Sequence, residues 1–91
     1  MEIKWTRSAL SDLQRLYEFL APINHIAAAR IIQTLTQAPD KIIHQPRIGE
    51  RLDEFECKEI RRLLVGHYEM RYEIRNNCFY VLRIWHTKEE R

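Results

Sequence analysis

The sequence predicts an α+β fold, a β-α-α-β-β-β chain in which a helix hairpin covers one face of an antiparallel sheet. Three observations predict it. From Tyr68 to Arg75, Tyr68, Met70, Tyr72 and Ile74 alternate with Glu69, Arg71, Glu73 and Arg75, the period of a strand with one buried and one wet face. A nearly continuous apolar run from Cys78 to Trp85 follows Asn76-Asn77, a pair that tolerates the positive φ of a tight turn. Upstream, two apolar stripes at three- and four-residue spacing are separated by only Ala21-Pro22-Ile23, which makes them an antiparallel helix pair.

Taken in order, Glu2-Ile3-Lys4-Trp5 alternates and reads as a short strand. Thr6 is placed to N-cap the first helix, whose stripe is Leu10, Leu13, Leu16, Tyr17 and Leu20. Pro22 stops it, because the residue before a proline avoids helical angles. Asn24 caps the second helix, with the stripe Ala28, Ile31, Ile32, Leu35, Ala38 and Ile42. Pro39 lies inside that stripe and predicts a kink or a restart. Residues 47–56 read as a polar loop. Lys58–Val65 reads as a strand, turned by Gly66-His67 into the hairpin.

Pairing chemistry selects a hairpin register. A two-residue turn carried through regularly would set Met70 opposite Arg83. A three-residue loop sets Tyr72 opposite Tyr80, Met70 opposite Leu82 and Glu69 opposite Arg83. Matched cross-strand pairs contribute roughly 0.2–1 kcal/mol each, whereas a mismatch buries a charge. The three-residue loop is therefore expected. It leaves one apolar face for the helices and a second face of Glu69, Arg71, Glu73, Phe79, Val81, Arg83 and Trp85, too apolar to be only a solvated surface: it is either partly buried by a loop or a surface for a partner.

At 91 residues the chain suits one domain, 1–91, with one core. No run of about 18 apolar residues would span a membrane. No signal-peptide pattern follows Met1, so the expected compartment is the cytoplasm. Cys57 and Cys78 form neither a metal spacing nor a disulfide framework. The net charge of +2 is too mild to demand nucleic acid. Residues 58–91 hold eight Lys/Arg against five Glu, so the hairpin half is the basic end.

Chemistry has few places to reside. His25, His44, His67 and His86 are far apart in sequence. There is no Gly-rich phosphate loop and no Ser or Cys nucleophile motif. What remains is Arg61, Arg62, Arg71, Arg83, His86 and Lys88 at the sheet, near Glu59, Glu69 and Glu73. Cations beside an imidazole are the minimum for holding a phosphodiester and cutting RNA at its 2′-hydroxyl. Arg71 and Arg83 are equally suited to pairing with glutamates across strands, worth about 0–1 kcal/mol when exposed.

In order and spacing, these segments resemble the RelE/ParE superfamily of type II toxin–antitoxin toxins nearly end to end. The resemblance is carried by Trp5-Thr6, Ala9-Leu10, Asp12-Leu13, the Ala-rich second helix, Pro46-Arg47-Ile48-Gly49, Arg61-Arg62-Leu63, Tyr68–Ile74 and Val81–His86. It implies the β-α-α-β-β-β fold, a cognate antitoxin encoded alongside, assembly with that antitoxin, and growth arrest by the free toxin. RelE-like members cleave mRNA on the ribosome, and ParE-like members poison DNA gyrase. The nucleases carry an arginine where this chain has Glu69, and often a C-terminal tyrosine where the tail here has none. His86 matches a histidine that some nucleases use, and Lys88 keeps a base near an expected arginine.

The balance implies the ParE-like branch: a gyrase inhibitor acting by binding, with no cofactor and no metal. Candidate contacts for target or antitoxin are Arg61, Arg62, Arg71, Phe79, Val81, Arg83, Trp85, Ile23 and Ile26. The alternative is a ribosome-dependent mRNA endonuclease using His86, Arg83 and Lys88. A second alternative is a non-toxic binding module derived from such a toxin.

Overall fold

The computed structural model describes residues 1–89. Its elements are β1 (Glu2–Trp5), α1 (Arg7–Leu20), α2 (His25–Ile42), β2 (Glu50–Arg51), β3 (Glu59–Val65), β4 (Tyr68–Arg75) and β5 (Cys78–His86). The five strands form one sheet in the order β1-β5-β4-β3-β2. β1 runs parallel to β5 and the other neighbours are antiparallel, so the sheet is mixed. The α+β class and the helix hairpin are as expected. The additional strand β2 falls where the sequence suggested a loop, and its two residues are too few to leave a periodic signal.

Both N-caps form as their residue types dictate. The Thr6 hydroxyl accepts the Ala9 N–H and the Asn24 side chain accepts the Ala27 N–H, each at 3.1 Å. α2 runs through Pro39 to Ile42, so the expected restart does not occur. Proline there removes one helical hydrogen bond, but Pro39 is buried along with its neighbours Ala38 and Ile42. Tertiary packing holds the turn.

The hairpin register differs from the expected one. Asn76 and Asn77 both take positive φ, 53° and 59°, and close a two-residue turn with Arg75 opposite Cys78. Tyr72 then faces Val81, while Arg71 faces Arg83, so Leu82 is an extra residue in β5. This β-bulge removes the mismatch that a regular two-residue hairpin would have produced: Met70 meets Ile84, not Arg83. The bulge also switches which residues of β5 face the helices. Phe79 and Val81 point inward before it, and Ile84 after it. The apolar run is therefore two short alternating segments out of phase.

The core lies between the helices and this inner sheet face. Ala9, Leu13 and Leu16 of α1 and Leu35, Ala38 and Ile42 of α2 meet Tyr68, Met70, Tyr72, Phe79, Val81 and Ile84. Tyr72 stacks on Phe79 with ring centroids 4.4 Å apart. A large apolar side chain buried in this way contributes about 1.5–3 kcal/mol. The Tyr72 hydroxyl also donates to the Pro46 carbonyl at 2.8 Å and accepts the Gly49 N–H at 3.0 Å, fastening the loop before β2.

Candidate functional site

Cross-strand register brings Arg62, Arg71 and Arg83 into one row across β3, β4 and β5 on the sheet face away from the core. Each is held by a carboxylate. Arg62 reaches Glu50 at 2.9 Å and Glu69 at 3.3 Å, and Arg71 reaches Glu69 at 3.2 Å. Arg83 meets Asp12 of α1 at 2.8 and 3.2 Å, in place of the expected cross-strand glutamate. The Arg71 and Arg83 guanidinium carbons lie 4.9 and 5.8 Å from the centroid of the buried Trp85 ring, so the tryptophan is covered by cations. Arg61 serves the fold. It donates to the Gly49 and Arg47 carbonyls at 2.7 and 3.2 Å and to Glu59 at 2.9 Å.

Asp12 and Glu69 organise this cluster, although both are buried. Burial alone would raise the Asp12 carboxyl, but bonds from Arg83, the Ile84 N–H and Arg15 outweigh it and hold the group below its ordinary value of 3.8. Sequence reasoning cited Asp12 only within a motif. The available signal was an acid on the helix stripe, three residues after Ala9 and four before Leu16.

Of the apolar contact candidates, Phe79 and Val81 are in the core and offer no surface, a correction that follows from the two-residue turn, which sets them opposite Ile74 and Tyr72. Trp85 lies on the outer face beneath the arginines. Ile23 and Ile26 are 77% and 62% exposed at the tip of the helix hairpin, beside the 71% exposed Phe19.

The histidines are not all distant in space. His67, in the β3–β4 turn, stacks on His86 at the end of β5 with centroids 6.1 Å apart, and Tyr68 meets His86 edge-on at 5.1 Å. His86 Nδ1 accepts the Lys88 N–H at 3.1 Å. Burial, and then the charge of Glu89, raise the Tyr68 hydroxyl pKa, so it remains protonated at neutral pH. Lys88 is exposed.

Tyr68 and His86 line two adjoining cavities. One, of about 280 Å³, is walled by Arg30, Ile31, Thr34, Leu35 and the turn Val65-Gly66-His67. The other, of about 250 Å³, is walled by Arg15, Leu16, Phe19, Leu20 and Glu89. Together they form a largely apolar groove along the open end of the sheet between the two helices. Among the described residues no group of three His, Cys, Asp or Glu side chains is placed to hold a metal ion. Among the described residues no helix is long and apolar enough to cross a membrane.

The protein is thus a two-helix hairpin packed on a small mixed sheet, with an outer arginine row and a groove at one end. The chain belongs to the ParE toxin family of type II toxin–antitoxin systems, whose family model, "ParE toxin of type II toxin-antitoxin system, parDE", matches residues 3–91. It is similar to Toxin RelE2 of Caulobacter vibrioides, 28% identical over 86 residues and 94% of each chain. Its fold is similar to a chain of the chromosomal ParDE TA system from P. aeruginosa. That match has a TM-score of 0.76 at 21% identity and covers 94% of this chain and 95% of that one.

Proposed function

We propose that this protein is a cytoplasmic toxin that inhibits DNA gyrase by binding and is neutralised by a cognate antitoxin. One observation carries the preference for binding over RNA cleavage: Arg62, Arg71 and Arg83 are each engaged by a carboxylate, with Glu69 between two of them. A scissile phosphate at this face would compete with Glu50, Glu69 and Asp12 for the same guanidinium groups, and Glu69 and Asp12 are buried in place.

The groove suits the antitoxin. Its apolar walls and the exposed rim of Phe19, Ile23 and Ile26 match the apolar face of an amphipathic helix. Beside it, β2 pairs only with Arg61 and Arg62 of β3. The β3 edge from Leu63 to Val65 thus lies beyond the paired segment, where an added strand would continue the sheet.

The second reading, an mRNA endonuclease, is favoured by one observation: the His86 ring lines the groove and is not enclosed in the core. Expression in cells tests the choice. Gyrase poisoning predicts loss of plasmid negative supercoiling and trapped cleaved DNA, with mRNA intact. Codon-spaced mRNA cleavage with normal plasmid topology would replace the gyrase reading with the nuclease one.

A further inference from the structure

The chain from His86 to Glu89 is folded back on itself as a strap beside the groove. The His86 N–H donates to the Glu89 carboxylate at 2.7 Å, and the Glu89 N–H donates to the His86 carbonyl at 3.0 Å. The Thr87 N–H donates to the His67 carbonyl at 3.0 Å, and Arg15 pairs with Glu89. The remaining stitch is the Lys88 N–H donating to His86 Nδ1 at 3.1 Å. An imidazole nitrogen that accepts a hydrogen bond carries no proton, so this bond exists only for neutral His86.

Protonation changes two things at once. Nδ1 becomes a donor facing another donor, and the Lys88 stitch is lost. A positive charge also arises 6.1 Å from the His67 ring. The groups around it are Arg15 from α1, Arg30 from α2, His67 and Tyr68 from the β3–β4 turn, and Lys88 and Glu89 from the strap. The carboxylate among them, Glu89, already serves Arg15 and the His86 amide. Among the described residues, little is left to balance a second or third positive charge on an apolar groove.

We propose that His86 and His67 form a proton-operated latch. Neutral, the pair holds the strap as the groove's wall. Protonated, it loosens the strap at Lys88 and weakens binding in the groove. The latch belongs to the chain itself; its effect on the antitoxin rests on the reading that the antitoxin helix occupies this groove. Imidazole is the side chain suited to such a switch between pH 8 and 5.

Amide NMR on the isolated, ¹⁵N-labelled chain tests the latch without any partner. Between pH 7.5 and 5.5 the Lys88 amide is expected to shift and lose protection from exchange. In His86→Gln, whose amide oxygen accepts the same bond without titrating, it is expected to stay put. An unmoved Lys88 amide in the parent chain, or the same movement in His86→Gln, overturns the latch. Affinity for the antitoxin co-purified with the chain tests the coupling. It is expected to fall roughly tenfold over the same range and to be nearly flat in His86→Gln. An affinity independent of pH in the parent chain overturns the coupling. Phe19→Glu at the rim separates the two failures. If it leaves antitoxin binding intact, the groove assignment falls with the coupling, and the amide result alone decides the latch.

Discussion

The Asp12 carboxylate accepts the Ile84 backbone N–H at 2.8 Å, completing from a helix the hydrogen bonding that the short edge strand leaves open. β1 pairs with β5 only from Cys78 to Val81. Beyond it, the Thr6 hydroxyl donates to the Val81 and Leu82 carbonyls, Asp12 accepts from Ile84, and Arg15 donates to the Ile84 carbonyl. Side chains of the first helix and its cap thus continue the edge through the bulge and present Arg83 on the outer face.

Asp12→Ala should therefore cost about 2–4 kcal/mol, because it leaves a buried N–H and an arginine without their acceptor. Asp12→Asn keeps an acceptor for Ile84 and should cost less. Denaturant unfolding of the two variants measures the difference. Equal losses would show that the charge and not the backbone bond matters.

The same carboxylate sets an acid dependence. Its folded pKa lies below 3.8, so its contribution is present above that value and is lost as pH falls through the folded pKa. Stability should decline below about pH 4, with a shallower decline in Asp12→Asn. Melting curves from pH 5 to pH 2 would reveal the slopes, and identical slopes would contradict the assignment.

Gly49 is fixed by close approach. A Cβ there would lie 2.5 Å from the Tyr72 hydroxyl and 2.7 Å from the Arg62 carbonyl. Gly49→Ala should cost about 1–3 kcal/mol through overpacking. Tyr72→Phe should cost about 1–3 kcal/mol by leaving the Gly49 N–H and Pro46 carbonyl without the hydroxyl. Because both changes act on one contact, the double variant should lose less than the sum, as a double-mutant cycle would record.

At the hairpin, Asn77 sits at φ 59°, a conformation that glycine adopts without a Cβ penalty. Asn77→Gly should be neutral or stabilising by up to about 1 kcal/mol. A large loss in thermal unfolding would mean that the Asn77 side chain has a role beyond the turn.

The parts of this fold legible in the sequence are those written locally. Thr6 and Asn24 announce their helices, the stripes give the buried faces, and the Tyr68–Ile74 alternation gives β4. The bulge was not legible, because an inserted residue breaks the period on which register reasoning depends. The two-residue turn, in place of the expected three-residue loop, moved Phe79 and Val81 from a supposed contact surface into the core. The partners of Arg83 and His86 were also hidden. Asp12 is 71 residues from Arg83, and His67 meets His86 only after β4 and β5 pair. Pro39 does not restart the helix, because burial of the surrounding stripe outweighs one missing helical bond.

Gyrase inhibition by binding, as proposed, leaves the sheet arginines engaged by carboxylates. The most direct measurement is purified protein assayed in parallel for gyrase supercoiling and for cleavage of labelled mRNA on translating ribosomes. Gyrase inhibition by binding predicts lost supercoiling or trapped cleaved DNA, intact mRNA, and an unchanged gyrase effect in His86→Ala at pH 7.5. Codon-spaced mRNA cleavage that His86→Ala abolishes, with gyrase unaffected, would contradict it.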